Sequence, residues 1–291
     1  MFENLVGNEK AKKSLTQSIK SKNIPHSYIF SGPEGVGKRL FALDYAKTIM
    51  CNENGKCNNE CDSCIKFNGN SNPDYMQIEP DGKVIKIDQI RKVQERIAEK
   101  PIVSSKKVYV INNADSMTEE SQNCLLKTLE ECPKYAIIIL VVSNESRLLA
   151  TIKSRCVIVK FTRISDQKLR KHFTNLSDEQ IKLLDGSFLY VNSIEKKQEE
   201  YNNILKIVDI LQNGTLLELI EESEMLYTEK DSIFEILNYL NIVLLQRKIT
   251  EPVIIVEKTK RKISSNNNYE MCIDYLLMNS WKSIRTNNSK V

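Results

Sequence analysis

The feature that most constrains the fold is a glycine-rich segment, GPEGVGKR, at residues 32–39. It follows a short run, SYIF, whose residue types favour a strand, and it leads directly into a helical run. Closely spaced glycines let successive backbone N–H groups turn toward one anion, and a helix N-terminus adds partial positive charge. A lysine at the end of such a loop reaches the outer phosphates of a nucleotide. The segment therefore predicts a phosphate-binding loop of the P-loop kind, with nucleotide-binding residues Gly32, Gly35, Gly37 and Lys38.

Around this loop, from residue 26 to about residue 162, short β-rich runs alternate with helical runs. Further strands are predicted at 106–112, at 136–142 and in a run ending at Phe161, with a helix over 116–131. The run AIIILVV is almost wholly apolar, as a strand buried on both faces of a parallel sheet should be. This alternation predicts an α/β fold with a doubly wound parallel sheet and helices on both faces.

Beyond about residue 163 the pattern changes to helices alone. Three amphipathic helical runs are predicted at 201–212, 215–226 and 232–248. The polar and basic stretch EKTKRKISSNNN at 257–268 reads as a solvated linker before a final helix from Met271 to Trp281. The carboxyl-terminal part is therefore expected to be all-α.

Composition sets limits rather than a function. The 291 residues suffice for two or three domains, and 41% hydrophobic with 27% charged residues is ordinary for a globular protein. A net charge of +4 is less than a dedicated DNA-binding protein usually carries, so it favours no particular partner. No apolar stretch reaches membrane-spanning length and the first residues lack the apolar core of a signal peptide, so we expect a cytoplasmic protein without a membrane partner.

The groups that serve the metal ion and the attacking water in working P-loop ATPases are missing. The residue after the loop lysine, normally a serine or threonine that binds Mg²⁺, is Arg39. The two carboxylates expected after the next motif strand are replaced by Asn112 and Asn113, and an amide can neither act as a base nor bind a hard dication well. Asp115 lies two to three positions too late and is assigned a structural role. ATP hydrolysis is therefore not expected, whereas nucleotide binding through the glycines and Lys38 stays open.

Four of the eight cysteines are clustered, in the segment CNENGKCNNECDSC. Four thiolates within fourteen residues can surround Zn²⁺ tetrahedrally, and the polar spacers allow the chain to double back. We favour a structural zinc site over the alternatives, which are free thiols or an iron–sulfur cluster. Because such a site has no open position for water, it is not expected to be catalytic. The proposed ligands are Cys51, Cys57, Cys61 and Cys64.

Several segments together resemble the AAA+ clamp-loader family. They are PHSYIFSGPEGVGK (25–38), the cysteine cluster, NADSMTEESQNCLLKTLEECP (113–133) and SRC (154–156). The similarity covers roughly the first 160 residues, and the helical remainder matches only in architecture. It implies a RecA-like AAA+ domain at 1–162 with a zinc module at 51–64, a helical lid at 163–200 and a helical collar domain at 201–291. The family usually has a longer first gap in its cysteine module, which puts Cys51 in question as a ligand.

The resemblance also implies a role. In this family the arginine of SRC, here Arg155, projects into the ATP site of a neighbouring subunit. The chain would then be a non-hydrolysing stator of the DNA polymerase III clamp loader that acts on a neighbour's ATP in trans. The implied partners are the delta and gamma/tau subunits and, through the complex, the sliding clamp and primed DNA.

Two other functions stay open at this point. One is an active clamp-loader ATPase of the gamma/tau kind, which would show turnover by the isolated chain. The other is a nucleic-acid-binding protein that uses the cysteine module, which would show strongly salt-dependent DNA affinity. On spacing alone, Arg155 could also be an ordinary surface arginine paired with a nearby carboxylate.

Overall fold

A computed structural model of the chain describes residues 1–53, 55–174, 176, 178–189, 198–265 and 267–288. The chain divides into two compact units, one made of Met1–Thr174 with Gly186–Leu189 and the other of Asn175–Asp185 with Tyr190–Val291. Within the described residues, no helix has the length and apolar character needed to cross a bilayer. The three-part division at residues 162 and 200 stays a prediction, and residues 190–197 of the predicted lid lie outside the described part.

The first unit is built on one five-stranded sheet with the spatial order β2-β3-β4-β1-β5. Every neighbouring pair of strands is parallel, as the alternation of strand and helix predicts. Strands β1, β3 and β4 are buried along their whole length, which is why their sequences are so apolar. The strands are β1 (Ser27–Ser31), β2 (Tyr75–Ile78), β3 (Lys107–Ile111), β4 (Ala136–Val142) and β5 (Val157–Lys160).

Helices cover both faces of this sheet. Successive residues of a strand point to opposite faces, so Tyr28 and Phe30 of β1 pack in one core cluster and Ile29 packs in the other. The first cluster includes residues of α1 and α2, and the second includes residues of α4 and α5. The fold is therefore the doubly wound α/β fold expected from the sequence. The helices are α1 (Glu9–Lys20), α2 (Lys38–Met50), α3 (Asp62–Asn68), α4 (Ile87–Ile97), α5 (Glu119–Glu130), α6 (Ala150–Lys153) and α7 (Asp166–His172).

The second unit is helical throughout its described residues, as predicted. One prediction within it was wrong, because most of the basic stretch at 257–268 is not a linker but the second half of a helix, α13. Its basic side chains are held in place: Lys260 pairs with Glu257, and the Lys262 amine lies 3.3 Å from the centre of the Tyr275 ring. The helices are α8 (Asp178–Leu183), α9 (Gln198–Asn213), α10 (Leu216–Glu222), α11 (Glu224–Thr228), α12 (Ile233–Gln246), α13 (Glu251–Ser264) and α14 (Tyr269–Asn288).

A buried carboxylate fixes the loop that leads into β3. Asp74, just before β2, is 2% exposed. Its two oxygens accept hydrogen bonds from the backbone N–H groups of Ile102, Val103 and Ser104 at 2.7 to 3.1 Å. The carboxylate therefore links the chain before α4 to the chain after it. Without it, these backbone donors would be left without acceptors.

We expect Asp74→Ala to lower the free energy of unfolding by about 3 kcal/mol, because buried backbone donors lose a charged acceptor. Urea unfolding followed by circular dichroism measures this loss. A matched control is Glu95→Ala at an exposed position of α4, which should change stability by no more than about 0.5 kcal/mol. Equal effects of the two substitutions would contradict the role given to Asp74.

Candidate functional site

The glycine-rich loop joins the carboxyl end of β1 to the first turn of α2, the setting that a phosphate-binding loop requires. Gly35 and Gly37 have φ angles of +71° and +88°, which side-chain-bearing residues rarely adopt. At Gly32 the constraint is close approach, since an added Cβ atom would lie 2.3 Å from the Phe161 carbonyl oxygen. Glycine is therefore required at all three predicted positions for reasons of backbone geometry.

Lys38 turns back into its own loop. It is 6% exposed, and its amine donates to the carbonyl oxygens of Gly32 at 2.7 Å and Pro33 at 2.6 Å. Burial lowers the pKa of Lys38, and the negative charges of Glu34 and Asp115 partly oppose that shift. The lysine thus has acceptors within the protein in the place where phosphate oxygens would otherwise be expected.

A segment far along the chain, residues 186–189, packs against the glycine-rich loop. The backbone N–H of Phe188 donates to the carbonyl oxygen of Gly35 at 2.8 Å. A Cβ atom on Gly35 would lie 1.9 Å from the hydroxyl oxygen of Ser187, which is itself buried. Segment 186–189 therefore packs directly on the loop at Gly35.

Three side chains near the start of α2 and the ends of β2 and β3 contact the Glu79 carboxylate. The Arg39 guanidinium lies 3.5 Å from the Glu79 carboxylate, and the Asn112 amide donates to the same carboxylate at 2.9 Å. Gln77 donates to Glu79 as well. Sequence reasoning missed Glu79 because β2 was not recognised as a strand; a carboxylate directly after a strand was the available signal. A cation of the protein thus occupies the neighbourhood in which ATPases of this class bind Mg²⁺.

Asp115 has the structural role expected of it. Its carboxylate accepts hydrogen bonds from the backbone N–H groups of Ser143 at 3.3 Å and Asn144 at 2.9 Å, at the end of β4. Asn113, the other amide in place of a carboxylate, has a left-handed backbone with φ of 47° and precedes a short 3-10 helix. The turn after β3 is therefore tied to the turn after β4.

Arg155 lies at the opposite edge of the sheet from the glycine-rich loop. It precedes β5, and its carbonyl oxygen accepts a hydrogen bond from the Ser27 hydroxyl at 2.7 Å, at the start of β1. The glycine-rich loop begins after Ser31, four residues further along β1 than Ser27. Four residues of strand span about 13 Å, so the Arg155 backbone lies about that far from the start of the loop. The Arg155 side chain is 35% exposed, and its guanidinium lies 2.5 Å from the Glu130 carboxylate. Arg155 therefore does not serve the loop of its own chain.

The four clustered cysteines come together as predicted, and the group includes Cys51. Their sulfur atoms all lie within 4.8 Å of one another. Separations are 3.3 Å between Cys51 and Cys57, 3.6 Å between Cys57 and Cys64, and 3.9 Å between Cys51 and Cys61. Four sulfurs at 2.3 Å from one tetrahedral zinc ion would be about 3.8 Å apart. The cluster could therefore hold a metal ion.

The local chemistry of the cluster fits such an ion. All four cysteines are free thiols, and three of them are buried. A hydrogen bond from the Cys61 backbone lowers the pKa of Cys57 to about 6, whereas burial raises the pKa of Cys51 and Cys64. A cation at the centre of the cluster would stabilise the thiolate forms of all four cysteines.

A buried polar network attaches the cysteine segment to the sheet, and sequence reasoning did not identify it. The Ser63 hydroxyl, next to Cys64, lies 2.7 Å from the Ser104 hydroxyl and donates to the Met50 carbonyl oxygen at 3.0 Å. The Asn72 amide donates to the Ser63 carbonyl and to the Ser104 hydroxyl, each at 3.0 Å. The position of the cysteine segment therefore depends on residues far away in sequence.

Comparison with known proteins reveals clear relatives. The family model described as DNA polymerase III, delta subunit, matches residues 7–165. The chain is 26% identical to the delta' subunit of DNA polymerase III from Bacillus subtilis, over 91% of this chain and 94% of that protein. It is 32% identical to the gamma/tau subunit from Mycoplasma pneumoniae, over 73% of this chain.

The relatives differ in how much of their length is matched. The chain spans 31% and 40% of the length of two Mycoplasma gamma/tau subunits. A gamma subunit-related protein of Thermotoga maritima shares the fold, with a TM-score of 0.54, 16% identity and coverage of 92% of this chain and 98% of that one. Since the family model covers more than half of the chain, the protein belongs to the DNA polymerase III clamp-loader family and lies close to its delta-prime members.

Proposed function

We propose that the chain is a clamp-loader subunit of the delta-prime type, which does not hydrolyse ATP and supplies Arg155 in trans to a neighbouring subunit. One observation carries this proposal. Glu79 contacts both Arg39, the residue after the loop lysine, and Asn112, so the groups that stand where metal ligands are expected are paired within the protein. The arginine that belongs to the family's SRC motif lies at the other edge of the sheet.

The absence of turnover follows from charge. A dication beside the loop would meet the permanent positive charge of Arg39 instead of a serine or threonine hydroxyl. It would also meet the neutral amide of Asn112, a weak ligand for a hard cation and no general base. Lys38 further opposes binding, because phosphate oxygens would have to replace the carbonyl oxygens that already accept hydrogen bonds from its amine.

The position of Arg155 suits action on another molecule. Guanidinium stays charged at every relevant pH and forks onto phosphate oxygens, so it stabilises charge that develops on a γ-phosphate. The side chain is partly exposed on a surface remote from its own loop. A phosphate that it contacts is therefore expected to belong to a neighbouring subunit.

The assembly that follows from this proposal is a cytoplasmic complex with delta and gamma/tau subunits that loads a sliding clamp on primed DNA. The chain would serve as a relatively rigid member, with a RecA-like domain at 1–162, a lid at 163–200 and a collar domain at 201–291. Alignment along nearly the whole of a delta' subunit supports this assignment. Structural zinc bound by the four clustered cysteines would stabilise the first domain.

A second candidate is an active ATPase subunit, because the identity of 32% to a gamma/tau subunit exceeds that to the delta' subunit of Bacillus subtilis. That function would require Mg²⁺ beside Arg39 and a water-activating group other than Asn112 or Asn113. Neither amide supplies the chemistry, so the non-hydrolysing function is preferred.

The isolated chain is expected to show no ATP turnover above that of a Lys38→Ala variant purified in parallel, because it lacks groups that bind the metal and orient water. Release of inorganic phosphate, with clamp and primed DNA present, measures this. Turnover at a rate typical of gamma/tau subunits, abolished by Lys38→Ala, would support the active-ATPase alternative instead.

Arg155→Ala is expected to lower ATP hydrolysis at the neighbouring site of a reconstituted loader by about 10²-fold, because a preorganised cation is lost from the transition state. Single-turnover hydrolysis with delta, gamma/tau, clamp and primed DNA measures the rate. Size-exclusion chromatography checks that the complex still forms. Arg147→Ala, at an exposed arginine that follows β4 and lies away from Arg155, is the control and should have no effect. Unchanged hydrolysis by an intact Arg155→Ala complex would remove the finger role.

Purified protein is expected to contain one zinc ion per chain, which the double variant Cys57→Ser/Cys64→Ser loses and Cys124→Ser keeps. Inductively coupled plasma mass spectrometry measures the metal. Because protons compete with zinc for the thiolates, zinc should leave as the pH falls and not as it rises. A chelator should lower the melting temperature of the native chain. Iron, or absence of metal with four thiols that react freely, would contradict the assignment.

A further inference from the structure

We infer that Glu130 is a positioning residue that holds Arg155 in a resting position, from which the arginine must be released to reach a neighbouring subunit's ATP. This inference rests on the proposed function of Arg155. It concerns a carboxylate at the end of α5 that has no part in the chain's own nucleotide loop.

Three acceptors within the chain hold the guanidinium. Its Nη2 atom lies 2.5 Å from the Glu130 carboxylate. Its Nη1 atom donates to the Thr151 carbonyl oxygen at 2.9 Å and contacts the Ser154 hydroxyl at 3.3 Å. The two terminal nitrogens form the fork that binds phosphate oxygens in pairs. Both nitrogens are engaged here, so a phosphate that binds this terminal pair competes with these acceptors for the guanidinium.

Glu130 is the acceptor that matters most in this competition. Thr151 and Ser154 belong to the same short segment as Arg155 and would move with it, whereas Glu130 lies on a different helix. Glu130 is also the charged acceptor, so its contact is the stronger one. The direction in which the guanidinium points is therefore set mainly by Glu130.

The helix end makes this pairing favourable. Glu130 is the last residue of α5, where the helix dipole is negative and an unpaired carboxylate is disfavoured. A guanidinium at this position relieves that repulsion. The resting position is thus stabilised by the local field of α5 as well as by the ion pair.

The pair is nevertheless weak enough to yield. The Arg155 and Glu130 side chains are 35% and 50% exposed, and solvent screens an ion pair of this kind. Exposed pairs of this type bias an equilibrium by about 1.5- to 5-fold. A triphosphate presents several negative charges to the same guanidinium and outcompetes a single carboxylate. Glu130 thus adjusts how readily the finger engages and does not abolish its engagement.

The experiment compares Glu130→Gln with Glu131→Gln in the full reconstituted loader, with clamp and primed DNA. Both substitutions remove one negative charge at the same helix end, but the ion pair of Arg155 is with Glu130. Glu130→Gln should raise kcat/KM for ATP by about 1.5- to 5-fold. It should also tighten equilibrium binding of a non-hydrolysable ATP analogue by a similar factor. Glu131→Gln should change neither quantity.

Combining Glu130→Gln with Arg155→Ala distinguishes the positioning role of Glu130 from the finger role of Arg155. Glu130→Gln should have no effect in a loader that already carries Arg155→Ala, because the group that it releases is gone. If Arg155→Ala lowers hydrolysis but Glu130→Gln leaves kcat/KM unchanged or lowers it, the positioning role is overturned and the finger role stands. An equal rise from Glu130→Gln and Glu131→Gln would also overturn it, as a bulk charge effect. If Arg155→Ala has no effect, the proposed function itself fails.

Discussion

The parallel register of the sheet is the constraint on which the rest of this protein depends. When all strands run in one direction, every strand ends at the same edge and every strand begins at the other. The glycine-rich loop after β1, Glu79 after β2, Asn112 after β3 and Ser143 after β4 therefore meet at one edge. Arg155 precedes β5 and lies at the other edge. The common direction of the strands thus places the glycine-rich loop and Arg155, which we propose acts on a neighbouring subunit, at opposite edges of the sheet.

The charged groups at the carboxyl edge differ from those of a working P-loop ATPase, although the loop itself has the expected backbone geometry. The loop keeps the backbone geometry of a phosphate-binding loop, since Gly35 and Gly37 retain left-handed φ angles. The surrounding groups, however, satisfy one another: Lys38 is bonded to loop carbonyls, and Arg39 pairs with Glu79. The charge of buried Lys38 therefore has acceptors within the protein and does not depend on a phosphate for them. The geometry of a phosphate-binding loop is thus compatible with the non-hydrolysing function that we propose.

Much of the fold and part of the site were predictable from local patterns. The apolar run AIIILVV between helical runs indicated a doubly buried strand, and the glycine spacing indicated the loop. Strand β2 was not predicted, because it has only four residues and most of them are partly exposed, so the sequence lacks a strong apolar pattern there. The basic run in α13 has the composition of a linker, because a local pattern does not reveal the remote partners of Lys260 and Lys262. Packing between helices supplies Asn238 of α12 to Lys260 and Tyr275 of α14 to Lys262.

The sequence by itself determined the identity of the chemical groups: a P-loop lysine without its metal ligands, an SRC arginine and four grouped thiols. These are covalent facts, and they limit the chemistry whatever the fold. Only the tertiary structure decided which groups meet, because contacts between Arg39 and Glu79, Arg155 and Glu130, or Ser63 and Ser104 join residues 25 to 41 positions apart. Local propensity carries no information about such pairs. They arise when the parallel sheet and the helices packed on it bring remote turns to the same edge.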